Sequence, residues 1–391
     1  MKKLLLVFFG LVISISIFNF DFLSSSHIAL AVEGESIETS ITDSTKQQLE
    51  SLELTEFENL YEEYKSSDKT LNQLIQDIID GKISLSFNDL VSIILSKAQN
   101  MVKNILYTIL LLLSISILSG LISNFSSANA SIKNMLNIVF VCLSATILIY
   151  FTISSVTETT KTIRVLGDFS KIVFPVLIVL VTAAGAKTSS VMYQPLVATL
   201  STGIIAMFSG VVMTTITIYM ILTILNNLVK DVKLNKLIEF FASFLKWIIG
   251  LSFGIFFTYS SIVGLVAGGK DGISIKTAKY AIKSYVPIVG GYLSDGFEIF
   301  RAGSIVLKNS IGVVGLILLL VIILTPAIKL LVTNLLLKFT SGLAELSGDK
   351  SISNLMNGMS KVFNYLLATI MTVFMMCFIL ILLIVMTANM V

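Results

Sequence analysis

"IGVVGLILLLVIILTPAI", residues 311–328, contains no charged side chain, and its reading decides the fold class. At ~1.5 Å of rise per residue a helix of this length nearly crosses the ~30 Å of hydrocarbon in a bilayer. The run is continuous rather than alternating, so a helix, which satisfies its own backbone, is the expected way across. Working outward, comparable runs occur at 104–123, 135–155, 172–186, 196–225, 247–268 and 362–386. The expectation is an all-α polytopic membrane protein with about seven spans. The third span is short, the fourth is long, and Pro326 marks a kink or exit in the sixth. Composition agrees: 55% of the 391 residues are hydrophobic, 13% are charged, and mean hydropathy is +0.92.

The regions before residue 103 have a different character. Lys2 and Lys3 precede an apolar run and a polar stretch that ends Ala29-Leu30-Ala31, the pattern of a cleaved secretory signal over residues 1–31. Residues 32–102 carry 14 Asp and Glu against 5 Lys, whereas residues from 103 onward carry 20 Lys and Arg against 9 Asp and Glu. Residues 32–102 therefore read as an acidic extracytoplasmic segment that docks on a partner or on the chain's own basic surface. Its apolar positions, Leu49, Leu52, Phe57, Leu60 and Tyr64, then Leu71, Leu74, Ile75 and Ile78, predict two short amphipathic helices. Ser86 to Asp89 resembles a capping box leading toward the first span. Residues 103–391 form the expected membrane domain, with a polar broken segment at 270–310.

Orientation conflicts with itself at this level. Counting seven spans from an external residue 32 places Lys161, Arg164, Lys171, Lys230, Lys233 and Lys236 outside, against the positive-inside rule. The weakest span, 172–186, is the suspected segment that does not cross.

Few chemistries are supported. His27 is the sole histidine and falls in the signal, which removes histidine-based triads, metal sites and proton relays from the mature chain. Cys142 and Cys377 lie in apolar runs with no reason to meet. "AAGAKTSS" at 183–190 lacks the glycine spacing of a phosphate loop, and "GGKD" at 268–271 lacks the hydroxyl that would hold magnesium. No cofactor, metal site or nucleic-acid partner is expected. Gly250, Gly254, Gly264 and Gly268 form two GxxxG patterns on one span and predict close helix packing, with contact inside the subunit or between subunits left open. Trp247 beside Lys246 reads as an interfacial anchor.

The polar stretch "DGISIKTAKYAIKSYVPIVGGYLSDGFEIF", 271–300, is the main site candidate. Ser274 can cap a helix with Lys276, Lys279 and Lys283 on one side, a basic face suited to anionic headgroups. Pro287, Gly290 and Gly291 break it, and Asp295, Glu298 and Arg301 follow at helical spacing. Charges near membrane depth are paired or face water. These residues predict a gate or assembly element, lining a cavity or serving as an ion-paired connector, and not a catalytic loop.

Together with the signal, the acidic segment and the Pro-containing span, the run "KDGISIKTAKYAIKSYVPIVGGYLSDGFEIFRAGS", 270–304, resembles the stage III sporulation protein AE family of endospore-forming bacteria. The resemblance implies a component of a secretion-like channel joining mother cell and forespore, required for late forespore development. It further implies the mother-cell membrane around the forespore as location, and the lipid bilayer and other stage III sporulation membrane proteins as partners, with self-association open. The family supplies no catalytic residues. Two functions stay open on the residues themselves, a non-enzymatic channel or export-gate subunit and a stand-alone secondary transporter of a small solute. A membrane enzyme has least support.

Overall fold

The computed structural model describes residues 35–65, 69–80, 103, 105–122, 130–228, 234–285, 290–348 and 350–387, and among these there is no strand. The expected signal at 1–31, the capping box at 86–89 and Pro287 lie outside them. Three short helices come first: α1 (Glu35–Ser51), α2 (Thr55–Tyr64) and α3 (Leu71–Ile79). The expected pair is thus a trio, because the chain leaves helical geometry at Glu53 and Leu54 and divides the first apolar stripe between two helices. Thr70 and Gln73 close a reciprocal capping box on α3. Phe57, Leu60, Tyr61, Leu71 and Ile75 are buried.

Six helices long and apolar enough to cross a membrane follow. These are α4 (Ile105–Ile122), α5 (Ala130–Ala183), α6 (Lys187–Leu228), α7 (Asn235–Tyr285), α8 (Gly290–Leu346) and α9 (Lys350–Met386). The all-α polytopic architecture holds, with six candidate crossing helices among the described residues where the sequence suggests about seven. The difference is α5: residues 135–155 and 172–186 are two ends of one 54-residue helix, and the intervening charged residues are helical too. At ~1.5 Å per residue α5 is about 81 Å long, far more than the ~30 Å hydrocarbon, so it extends beyond the membrane.

The helices alternate in direction. α8 and α9 form an antiparallel hairpin around Gly348, whose φ of 89° suits a residue without Cβ. Lys308 meets Thr387 at one end of this hairpin, and Ser341 meets Ser353 at the other. α5 lies against both, with Phe151 beside Phe363 and Ser170 beside Cys377. Gly185, φ 86°, turns the chain from α5 into α6. Tyr193 near Thr387 and Gly358 beneath Thr223 show that α6 runs back along α9. α7 returns again, from Tyr365 near Ala242 to Gly264 against Leu383. The acidic helices α1–α3 pack on α8 and share an end of the bundle with the C-terminus. The lysine-bearing connection at 229–233, itself outside the described residues, joins helix ends at the opposite end, bridged by Asn226 and Asn235. One fewer crossing places Lys236 at the end opposite α1–α3, but it brings Lys276 of α7 to the same end as α1–α3, so the charge conflict found in the sequence shifts rather than disappears.

Candidate functional site: a polar face at membrane depth

The polar stretch 271–300 differs from its expected form. α7 continues unbroken through Ser274, which is therefore not a helix start, and the lysines ride on the last turns of a 51-residue helix. Lys276 is exposed; Lys279 and Lys283 lie in the same helix. α7 ends at Tyr285 and a new helix begins at Gly290, so Gly290 and Gly291 are the first residues of α8. Asp295 and Glu298 are exposed on α8, with Glu298 acting electrostatically on Arg301 one turn later.

The packing glycines divide. Gly264 meets Leu383 at 3.1 Å from an added Cβ, a close internal contact. Gly250 and Gly254 face open space beside Leu251, Ile255 and Tyr259, so internal packing is not their role. α7 simply presents that side outward, away from the five other long helices. Gly268 lies within α7. Trp247 and Lys246 are both exposed, as an interfacial anchor requires.

A buried polar cluster closes the end of the bundle near α1. The Asp271 carboxylate, 1% exposed, accepts from the backbone N–H of Thr188 at 2.9 Å and of Ser189 at 3.0 Å, and from the Ser189 hydroxyl. An acidic side chain there satisfies orphan donors at the start of α6 and complements the helix dipole. Arg301 Nε donates to Ala184 O at 3.1 Å, fixing the α5–α6 turn. Fully buried Lys308 donates to Thr387 O, while Tyr193 Oη lies 2.9 Å from Thr387 Oγ1. On the outer side, Gln48 of α1 donates to Phe300 O at 3.0 Å and accepts from Ser304 Oγ at 2.7 Å. The acidic segment therefore docks on the chain itself, here through neutral polar groups.

Gly303 permits that docking, since an added Cβ would lie 3.1 Å from Gln48 Nε2 and Ser44 Oγ. A Gly303→Leu variant should release α1, read as protease cleavage within 35–51 under conditions where Gly303→Ala resists. Equal resistance of the leucine variant would show that α1 is held elsewhere.

The second polar feature crosses the bundle's middle. Between Ser154 and Lys171 the outward side of α5 presents Ser154, Thr157, Lys161, Arg164, Asp168 and Lys171, all exposed. Its inward side buries Ile163, Leu166, Phe169 and Ser170. Depth follows from the neighbours. Glu158 pairs with Lys329, Gly167 sits against Ile205, Ser170 Oγ is 3.4 Å from Cys377 Sγ, and Gly315 lies against Val173. The charged stretch is thus level with Gly315 to Lys329 of α8 and with the part of α9 around Cys377. From 154 to 171 α5 rises roughly 26 Å, close to the hydrocarbon thickness. At the bilayer centre a charge facing lipid would cost at least ~2.5–3.5 kcal/mol, so where this side lies within the membrane it must face water or protein. α6 carries two π-helical turns, Thr199–Ile204 and Phe208–Val212, flanking Ile205 where Gly167 packs.

The sequence profile described as Stage III sporulation protein AE matches residues 69–388. The chain belongs to that family. A curated relative, Stage III sporulation protein AE of Bacillus subtilis (strain 168), is 24% identical over 274 residues, covering 70% of this chain and 68% of that protein. No solved structure matches. Family membership and the six long apolar helices make this a multi-pass membrane protein of sporulation. The matched region takes in α3 onward, hence both the closed polar end and the α5 face.

Sequence reading missed Asp271 as an anchor, Lys308 as a buried amine, and the whole α5 face. For α5 the signal was present: Ile163, Leu166, Phe169 and Val173 recur at helical spacing beneath the charges.

Proposed function

We propose that this protein is a non-enzymatic channel or export-gate subunit in the mother-cell membrane around the forespore, assembled with other stage III sporulation membrane proteins and serving late forespore development. The observation that carries the reading is the polar face of α5, whose charged residues lie exposed on the outside of a single chain beside the apolar run of α8. Such a face is stable only where something else encloses it, and a surrounding assembly with a watery interior meets that need. A stand-alone transporter would hold its polar site between its own helices, where the buried charges Asp271 and Lys308 are instead taken up by Thr188, Ser189 and Thr387. In this reading the acidic helices are extracytoplasmic, the 229–233 end is cytoplasmic, and energy comes from a partner, since the sequence carries no nucleotide motif.

Cysteine accessibility tests it. In a Cys142→Ser background, with Cys377 buried, single cysteines at Ser154, Thr157, Lys161 and Asp168 should react with a charged, membrane-impermeant thiosulfonate in membranes from sporulating cells. Cysteine at Leu265, 80% exposed on the apolar side of α7, should not. Protection of all four α5 positions would sink the water-filled conduit.

A further inference from the structure

We propose that the α5 face makes this conduit selective for small anions, with Lys161 and Arg164 of several copies of this chain facing one watery path. The inference rests on the conduit reading above and adds what passes.

The charges on the face are unequal. Asp168 is taken up by Lys171, at 3.1 Å, and Glu158 by Lys329 of α8. Lys161 and Arg164 are both exposed and, among the described residues, have no carboxylate within ion-pair distance. They are adjacent on the helix surface at i, i+3, and they lie between the levels of Lys329 and Gly315 of α8, beside its uncharged run. Both acids at this level are therefore neutralised locally, and two cations per chain remain directed outward.

Two consequences follow from elementary electrostatics. A cation held in a low-dielectric wall acts more strongly on a nearby ion than the same group in bulk water, because field lines concentrate in the watery gap. Rings of Lys and Arg at a constriction favour anions, as rings of carboxylates favour cations. Like-charged faces also cannot pack dry against each other, since nothing would compensate the desolvated cations. Copies that bring their α5 faces together must leave water and mobile anions between them, which makes the polar face a lining and not a contact.

The arrangement also excludes a coupled carrier site on this face. A carrier binds its solute between elements that rearrange, whereas the groups here are fixed on the middle of one long helix whose inner side is packed into the core at Ile163, Leu166 and Phe169. The expected passage is conductive.

The test is ion selectivity of the full-length chain, purified as the assembly it forms in sporulating cells and fused into planar bilayers across a potassium chloride gradient. The parent should show a reversal potential displaced toward that of chloride, a chloride preference of several-fold over potassium. Lys161→Gln with Arg164→Gln should keep the conductance and lose the preference, and Lys161→Glu with Arg164→Glu should invert it. A parent that prefers potassium, or a preference untouched by charge reversal, would overturn the proposal. If the α5 cysteines react with aqueous reagent but the assembly passes no chloride, anion conduction falls and the water-filled conduit stands. If those cysteines are protected, both fall together.

Discussion

Glu158→Ala is expected to destabilise the bundle by about 2 kcal/mol, because it leaves the Lys329 ammonium without its carboxylate beside the apolar middle of α8. Breaking a fully buried pair costs more, ~3–5 kcal/mol. Here the side chains are 37% and 24% exposed for Glu158 and Lys329, so water screens part of the loss. The pair joins α5 to α8 at the level where neither helix offers another charge to the other. A Glu158→Gln, Lys329→Met double variant removes both charges while keeping the volumes, and it should recover most of the lost stability. The midpoint of thermal unfolding in detergent, followed by loss of helical signal, reads the effect. A single variant as stable as the parent would mean that Lys329 reaches water unaided. A double variant no better than the single would mean that the carboxylate acts through something other than the ion pair.

How far the sequence goes toward this structure depends on whether a feature is local. Helical class and membrane insertion follow from composition over windows of about twenty residues, so runs such as 311–328 identify themselves. Residues 158–171 fail the same window because it averages over all sides of a helix. Five charges there outweigh Ile163, Val165, Leu166 and Phe169, and the segment reads as a loop between two spans. In the fold its apolar side is covered by α8 and α9, and the charges take the remaining side. The division of the acidic segment at Glu53 and Leu54 is another such case, since neither residue is a helix breaker and the stripe from Leu49 to Leu60 keeps its spacing across the gap. Gly250 and Gly254 show the reverse error: the spacing permits a close neighbour but does not supply one, and α7 turns that side outward. The buried anchors are out of reach for a different reason. Lys308 bonds a carbonyl 79 residues away, and nothing local separates it from the lysines of α7 that end in solvent.

Asp271→Ala should have an effect of comparable size, concentrated at the start of α6. The carboxylate, 82 and 83 residues from its partners, is the acceptor for two backbone donors and one hydroxyl. Its removal strands buried donors, each costing ~1–3 kcal/mol where no water reaches them, so a loss of roughly 3 kcal/mol is expected after partial relaxation. The asparagine variant should fall between parent and alanine, because one side-chain oxygen can still accept while the amide presents donors to donors. Position makes this more than a stability effect. Asp271 ties α7 to the α5–α6 turn that Arg301 of α8 holds from the other side through Ala184, so three long helices and one turn share this end. Losing the tie should loosen the turn before the bundle as a whole. Hydrogen exchange resolves the two: amides of Thr188 and Ser189 should lose protection in Asp271→Ala under conditions where buried amides of α9, such as Leu366 and Ile370, keep theirs. Unchanged protection at 188 and 189 would show that the turn holds itself through Gly185, and Asp271 would then be a passenger of the packing around it.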